Sequence, residues 1–213
     1  MDHPATPQVL RTTLAAIAVG IALAVVLLAS RELFGGRAGA FWLENTGGVW
    51  FLAAFAAGWA ARRAISGALA GLGALLLALF IYESVYLVTE PGFSVLFMPL
   101  FRPVWLAAGV VAGAGLGFLG GWSAEDDEWR WLGTSLLGAL LVAEAVGLFV
   151  DGPPHPGFDS GAAATQIFVG TGVMLFGVRG RVRFRALTLF LGVTLLLLGA
   201  ELMTAMITIS VWG

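Results

Sequence analysis

Seven apolar stretches, near residues 10–30, 47–61, 64–88, 103–123, 131–150, 162–178 and 186–211, divide this 213-residue sequence. A helix that crosses a hydrocarbon core of roughly 30 Å needs about 20 residues, or somewhat fewer when its neighbours help to bury its ends. Windows of that length recur with only short connectors between them. The residue usage agrees: 59% of the chain is hydrophobic and 11% charged, against roughly 45–50% and about 25% in soluble domains. The reading is an all-α fold, a polytopic transmembrane helix bundle of seven spans forming one domain over residues 10–213 after a disordered cytoplasmic tail at 1–9. The second and sixth windows are short and rich in Gly and Ala.

The connectors are polar or rich in Pro and Gly: "RELFGGRAGAFWLENT", "RR", "TEPGFSVLFMPLFR", "AEDDEW", "DGPPHPGFDS" and "RGRVRFR". Basic residues in short loops are retained on the cytoplasmic side, whereas acids count for little. With the N-terminus inside, Arg11, Arg62, Arg63, Arg130, Arg179, Arg181, Arg183 and Arg185 are cytoplasmic, and Arg31, Arg37 and Arg102 lie outside. This asymmetry places the protein in the cell membrane with its N-terminus cytoplasmic and its C-terminus outside. A six-span alternative follows if the first helix is a cleaved signal, with "AGA" at Ala38 to Ala40 as the cleavage site. Its apolar run from Leu14 to Ala29 is at the long end for such a segment.

Several chemistries are excluded by residue type. All eleven basic residues are Arg and Lys does not occur, which removes Schiff-base chemistry and with it a retinal pigment. There is no Cys, hence no thiolate nucleophile or thiolate metal ligand. His3 and His155 are the two histidines, too few for a His-based metal site and without the geometry of a Ser/His protease. The "EDDE" run from Glu125 to Glu128 reads as a solvated charge cluster. No enzyme activity, cofactor, metal or nucleic-acid partner is expected.

Gly109, Gly113, Gly117 and Gly121 recur at every fourth residue in the fourth span, which makes one smooth groove along a helix. In lipid, where apolar burial does not favour helix association, such a groove allows close backbone approach and dense van der Waals contact. The fifth span offers a matching small row, Ser135, Ala139, Ala143 and Gly147. "ESVYLVTE" from Glu83 and "EAVGLFVD" from Glu144 also echo each other, each followed by "PGF". That echo suggests tandem helical-hairpin repeats related by an axis along the membrane normal.

Three carboxylates interrupt apolar runs: Glu83, Glu144 and Glu201. Counted along their spans, they fall near the midplane or in the outer half of the membrane. A carboxylate at the bilayer centre costs at least ~2.5 kcal/mol, so each should face the bundle interior, be protonated or be paired. Thr194, Glu201, Thr204 and Thr208 draw a polar stripe on the seventh span, Tyr82 and Tyr86 flank Glu83, and Gln166 is another buried polar group. Two readings stay open. In one, the acids pair with Arg31, Arg37 or Arg102 and with hydroxyls, and hold the bundle together. In the other, Glu83, Glu144 and Glu201, with Tyr82, Tyr86, Thr204 and Gln166, line a site for a cationic or hydrogen-bonding solute or a proton relay.

"LLVAEAVGLF", "WFLAAFAAG" and the all-Arg, Ala/Gly/Leu-heavy style resemble a family of uncharacterised multipass membrane proteins of actinobacteria. That family has no established activity, so the resemblance implies a location and no chemistry. The functional expectation is a small membrane carrier, or the substrate-binding membrane subunit of one, with an outer-facing acidic cavity. A non-catalytic scaffold or assembly protein of the envelope is the alternative. The lipid bilayer is the expected partner, with a small cationic solute and a second copy or another membrane subunit as further candidates.

Overall fold

A computed structural model of the protein describes residues 5–34, 47–89, 103–126, 129–151, 160–177 and 183–212. Among them are seven α-helices and no strand: α1 (Ala5–Phe34), α2 (Gly47–Ala61), α3 (Ala64–Thr89), α4 (Pro103–Glu125), α5 (Arg130–Asp151), α6 (Ser160–Gly177) and α7 (Arg183–Trp212). Each coincides with one apolar window of the sequence. Four contain segments long and apolar enough to cross a membrane, Pro7–Ser30, Ala64–Thr89, Arg130–Leu148 and Arg183–Ala200, while α2 and α6 are apolar but shorter. Helix α1 begins at Ala5, so residues 5–9, expected as part of a tail, are helical, and Gln8 makes a tertiary contact described below.

The short helix α2 sits at the centre, packed on α1, α3, α4 and α5, while α5 carries α6 and α7. Its residues Ala54 and Phe55 join Leu23 and Leu27 of α1, Leu75 of α3, Leu116 of α4, and Leu137 and Leu141 of α5 in one buried cluster. A second cluster is built entirely of alanines, Ala15, Ala57, Ala61, Ala70 and Ala74, where α1, α2 and α3 converge. Side chains this small let three backbones approach closely.

The glycine row of α4 forms a close seam, but its partner is not the one expected. A Cβ on Gly117 would overlap the Gly67 carbonyl and lie 2.9 Å from Gly71 Cα, and one on Gly113 would lie 3.0 Å from Leu72 Cα. On Gly121 it would strike the Arg63 carbonyl. The row therefore meets Gly67 and Gly71 of α3, with Gly58 of α2 pressed against Gly117 from the other side. The small row of α5 turns elsewhere: Ala139 packs with Val142, Met174 and Phe190 toward α6 and α7. Gly109 also departs from expectation, since nothing among the described residues lies within 4 Å of a Cβ placed there.

Helices α2 and α3 are joined by a tight turn at Arg62 and Arg63. Arg62 adopts the left-handed conformation, φ 60°, and its N–H donates to the Gly58 carbonyl at 3.2 Å, which is the helix-ending bond usually assigned to glycine. A residue with a Cβ costs about 1–2 kcal/mol in that conformation.

Candidate functional site

Helix α2 has 15 residues and is therefore about 22 Å long. That is less than the ~30 Å of a hydrocarbon core, so in a bilayer its terminal N–H and C=O groups cannot all reach water. Such orphan groups must find partners. Side chains from other helices supply them at both ends.

At the N-terminal end the partner is Glu144. Its Oε1 accepts a hydrogen bond from the Gly47 N–H, and its Oε2 accepts one from Gln166 Nε2 at 2.7 Å. Gln166 Nε2 also donates to the Leu141 carbonyl at 3.1 Å. Because both of those partners are acceptors, the amide must present its nitrogen to them. Gln166 Oε1 is left buried without a hydrogen-bond partner among the described residues. Gly48 makes room for this arrangement, since a Cβ there would lie 2.8 Å from Gln166 Nε2. A hydrogen bond to a charged group contributes about 1.5–3 kcal/mol, and an anion at a helix N-terminus up to ~2 kcal/mol in partly buried settings. These contributions are of the same order as the ~2.5 kcal/mol minimum for placing a carboxylate in the apolar layer.

At the C-terminal end Gln8 Nε2 donates to the Ala61 carbonyl and Arg11 Nε to the Ala60 carbonyl, both at 2.9 Å. The guanidinium also matches the negative end of the helix dipole. The same logic recurs at the start of α3, where the Ala64 N–H donates to Glu125 Oε2 at 3.2 Å. Arg130 lies over the Trp59 ring at 5.1 Å, and Trp122 stacks on Trp129 with centroids 5.7 Å apart. The protein thus has an arginine- and tryptophan-rich end and, at the opposite end of α2, a carboxylate end.

Glu83 belongs to the carboxylate end and is unlike Glu144. It is 3% exposed, and its Oε2 is buried with no hydrogen-bond partner among the described residues. The Ala54 carbonyl opposes Gly71 across α2 and α3. Counting from that crossing places Gly47 about level with Ala78, and Glu83 about 7 Å further toward the same end. The two acids that the internal echo would make equivalent therefore have different environments, one on a helix terminus and one without a partner for Oε2.

Of the other candidates, Tyr82 is half-buried against the central cluster, and Gln166 serves Glu144. Thr194 is buried with an unpartnered Oγ1. Helical backbone is described at Tyr86, Glu201 and Thr204, but their side chains lie outside the described residues, as do Arg37, Arg102 and the side chain of Arg31. Among the described residues no group of three or more His, Cys, Asp or Glu could hold a metal ion. Gln8, Gly47 and Gly48 were not singled out from the sequence, and Arg11 was read only as a marker of topology. Their signal is indirect: an apolar helix too short to bring both ends to water needs donors and acceptors from elsewhere.

A family model described as a family of unknown function (DUF6518) matches residues 5–208. No curated protein matches, and no solved structure matches.

Proposed function

We propose that this chain, which belongs to the DUF6518 family of unknown function, is a seven-span integral protein of the cell membrane that binds a small cationic or hydrogen-bond-donating solute at Glu83. It acts as a carrier or as the solute-binding membrane subunit of one, and performs no catalytic step. The supporting observation is Glu83 itself: it is 3% exposed, and its Oε2 has no hydrogen-bond partner among the described residues, which makes it a buried acceptor open to a donor. Intramembrane acids of this kind mark solute and proton pathways. Tyr86, Glu201 and Thr204 enter the proposal from the sequence alone, and Glu144 serves as support for the site.

Glu83→Gln keeps the shape while removing the charge. The variant should fold at least as well as the parent, because an ionisable group without a full set of partners is removed from an apolar setting, and it should lose solute binding or uptake. Unchanged binding of every cationic solute bound by the parent would overturn the assignment. The scaffold reading is favoured by the engagement of both Glu144 oxygens, one by the first N–H of α2 and one by the Gln166 side chain of α6, and it is the one left standing by that result.

The proposed topology has its N-terminus inside and C-terminus outside. A reporter fused after Gly213 should read outside and one inserted between Arg179 and Arg185 inside, since α7 separates them. Both reporters on one side would exclude seven spans.

A further inference from the structure

The junction of α1, α2 and α3 at the arginine end has a composition that the solute site does not use. Arg11, Arg62 and Arg63 all present exposed side chains there. They are brought together by the alanine cluster, which draws the three helices close, and by the bond from Arg11 to the end of α2. Arg11 donates to the Ala60 carbonyl through Nε, and its side chain is exposed. Among the described residues the acids at this end are Glu125, whose Oε2 accepts from the Ala64 N–H at 3.2 Å, and Asp126, so the three arginines outnumber them there.

Two further features bear on what it takes. Arg62 holds the left-handed position at φ 60°, where glycine would close the same turn without strain. A strained residue kept at a turn points to use of its side chain. Beside the arginines, Leu10 and Leu14 on α1 and Ile65 and Leu69 on α3 are exposed apolar side chains. A cationic cluster with apolar helix faces running away from it has the chemistry of a phospholipid: phosphate at the guanidiniums, acyl chains along the helices.

We infer that Arg11, Arg62 and Arg63 form a binding site for the headgroup of an anionic phospholipid. The inference rests on the membrane placement proposed above, whose own failure would show as protein recovered from the soluble fraction without detergent. It does not depend on Glu83.

The test is the melting temperature of the full chain in a mild detergent, titrated with phosphatidylglycerol, with phosphatidylcholine, and separately with inorganic phosphate. Phosphatidylglycerol should raise the melting temperature and the other two should not. Arg62→Gly should melt higher than the parent without lipid, because the turn is relieved. Combined with Arg63→Gln, it should lose at least half of the rise that phosphatidylglycerol gives. Replacing Arg183 and Arg185, which are exposed at the start of α7, should leave that rise intact. An equal response to phosphatidylcholine or to inorganic phosphate, a full response in the Arg62/Arg63 variant, or an equal loss in the Arg183/Arg185 variant would each overturn the site.

Discussion

Gly117→Leu is expected to abolish recovery of folded protein, and Gly109→Leu to leave it unchanged. Both glycines belong to one row on α4, but their surroundings differ. A Cβ at Gly117 overlaps the Gly67 carbonyl and lies 2.9 Å from Gly71 Cα, whereas among the described residues nothing approaches one at Gly109. The atoms in the way are backbone, so no rotamer change makes room. Either α3 or α4 must move, and with it the contact of Gly58 on Gly117. Adding methylenes to a packed core costs about 1–3 kcal/mol even where side chains can shift, and a rigid three-helix seam should cost more. Gly117→Ala should already lower the melting temperature. The measurement is the monodisperse fraction on size exclusion after detergent extraction, followed by a thermal ramp. A normal profile for Gly117→Leu would mean that α3 and α4 do not meet along this row.

The same row shows how far the sequence could be read. The seven helices were legible because each is a long apolar run bounded by polar or Pro/Gly-rich connectors. The glycine groove was legible because its period of four is a helix face. Its partner was not, because Gly67 and Gly71 on α3 carry the same four-residue spacing as the small row of α5, and periodicity cannot say which of two equal rows lies opposite. The packing of α3 and α4 around the central α2 decides that. Glu144 was legible as an anomaly, a charge in an apolar run, with an arginine, a hydroxyl or a bound solute as its expected partners. The partners that the structure gives it include a backbone N–H, which has no signature in the sequence beyond the brevity of α2. For Glu201 the helix is described and the side chain is not, and Glu83 and Glu144 lie in different environments, so the three-acid cluster remains an expectation from sequence.

Replacing Glu144 should destabilise the fold in proportion to how much of the α2 cap is removed, unlike the replacement of Glu83. Glu144→Ala deletes the acceptor for the Gly47 N–H and for Gln166 Nε2, leaving the Gly47 donor without its partner in a partly buried setting and Gln166 Nε2 with the Leu141 carbonyl alone. Each buried unsatisfied donor costs about 1–3 kcal/mol, so the loss should be on the order of 3 kcal/mol, read as a lower melting temperature in detergent. Glu144→Gln keeps one carbonyl oxygen for Gly47 but sets its amide nitrogen against that of Gln166. Gln166 must then rotate and give up the Leu141 carbonyl, so the loss should be smaller but measurable. Gln166→Ala made together with Glu144→Ala should cost less than the two changes added, because the side chains act as one unit. A cap of this kind also predicts where the damage appears: faster amide hydrogen exchange in the first turn of α2 and unchanged exchange in the turn at Arg62. If Glu144→Ala melts with the parent and protects the first turn of α2 equally, the carboxylate does not hold that helix, and its place in an apolar run returns to being a matter of ligand chemistry alongside Glu83.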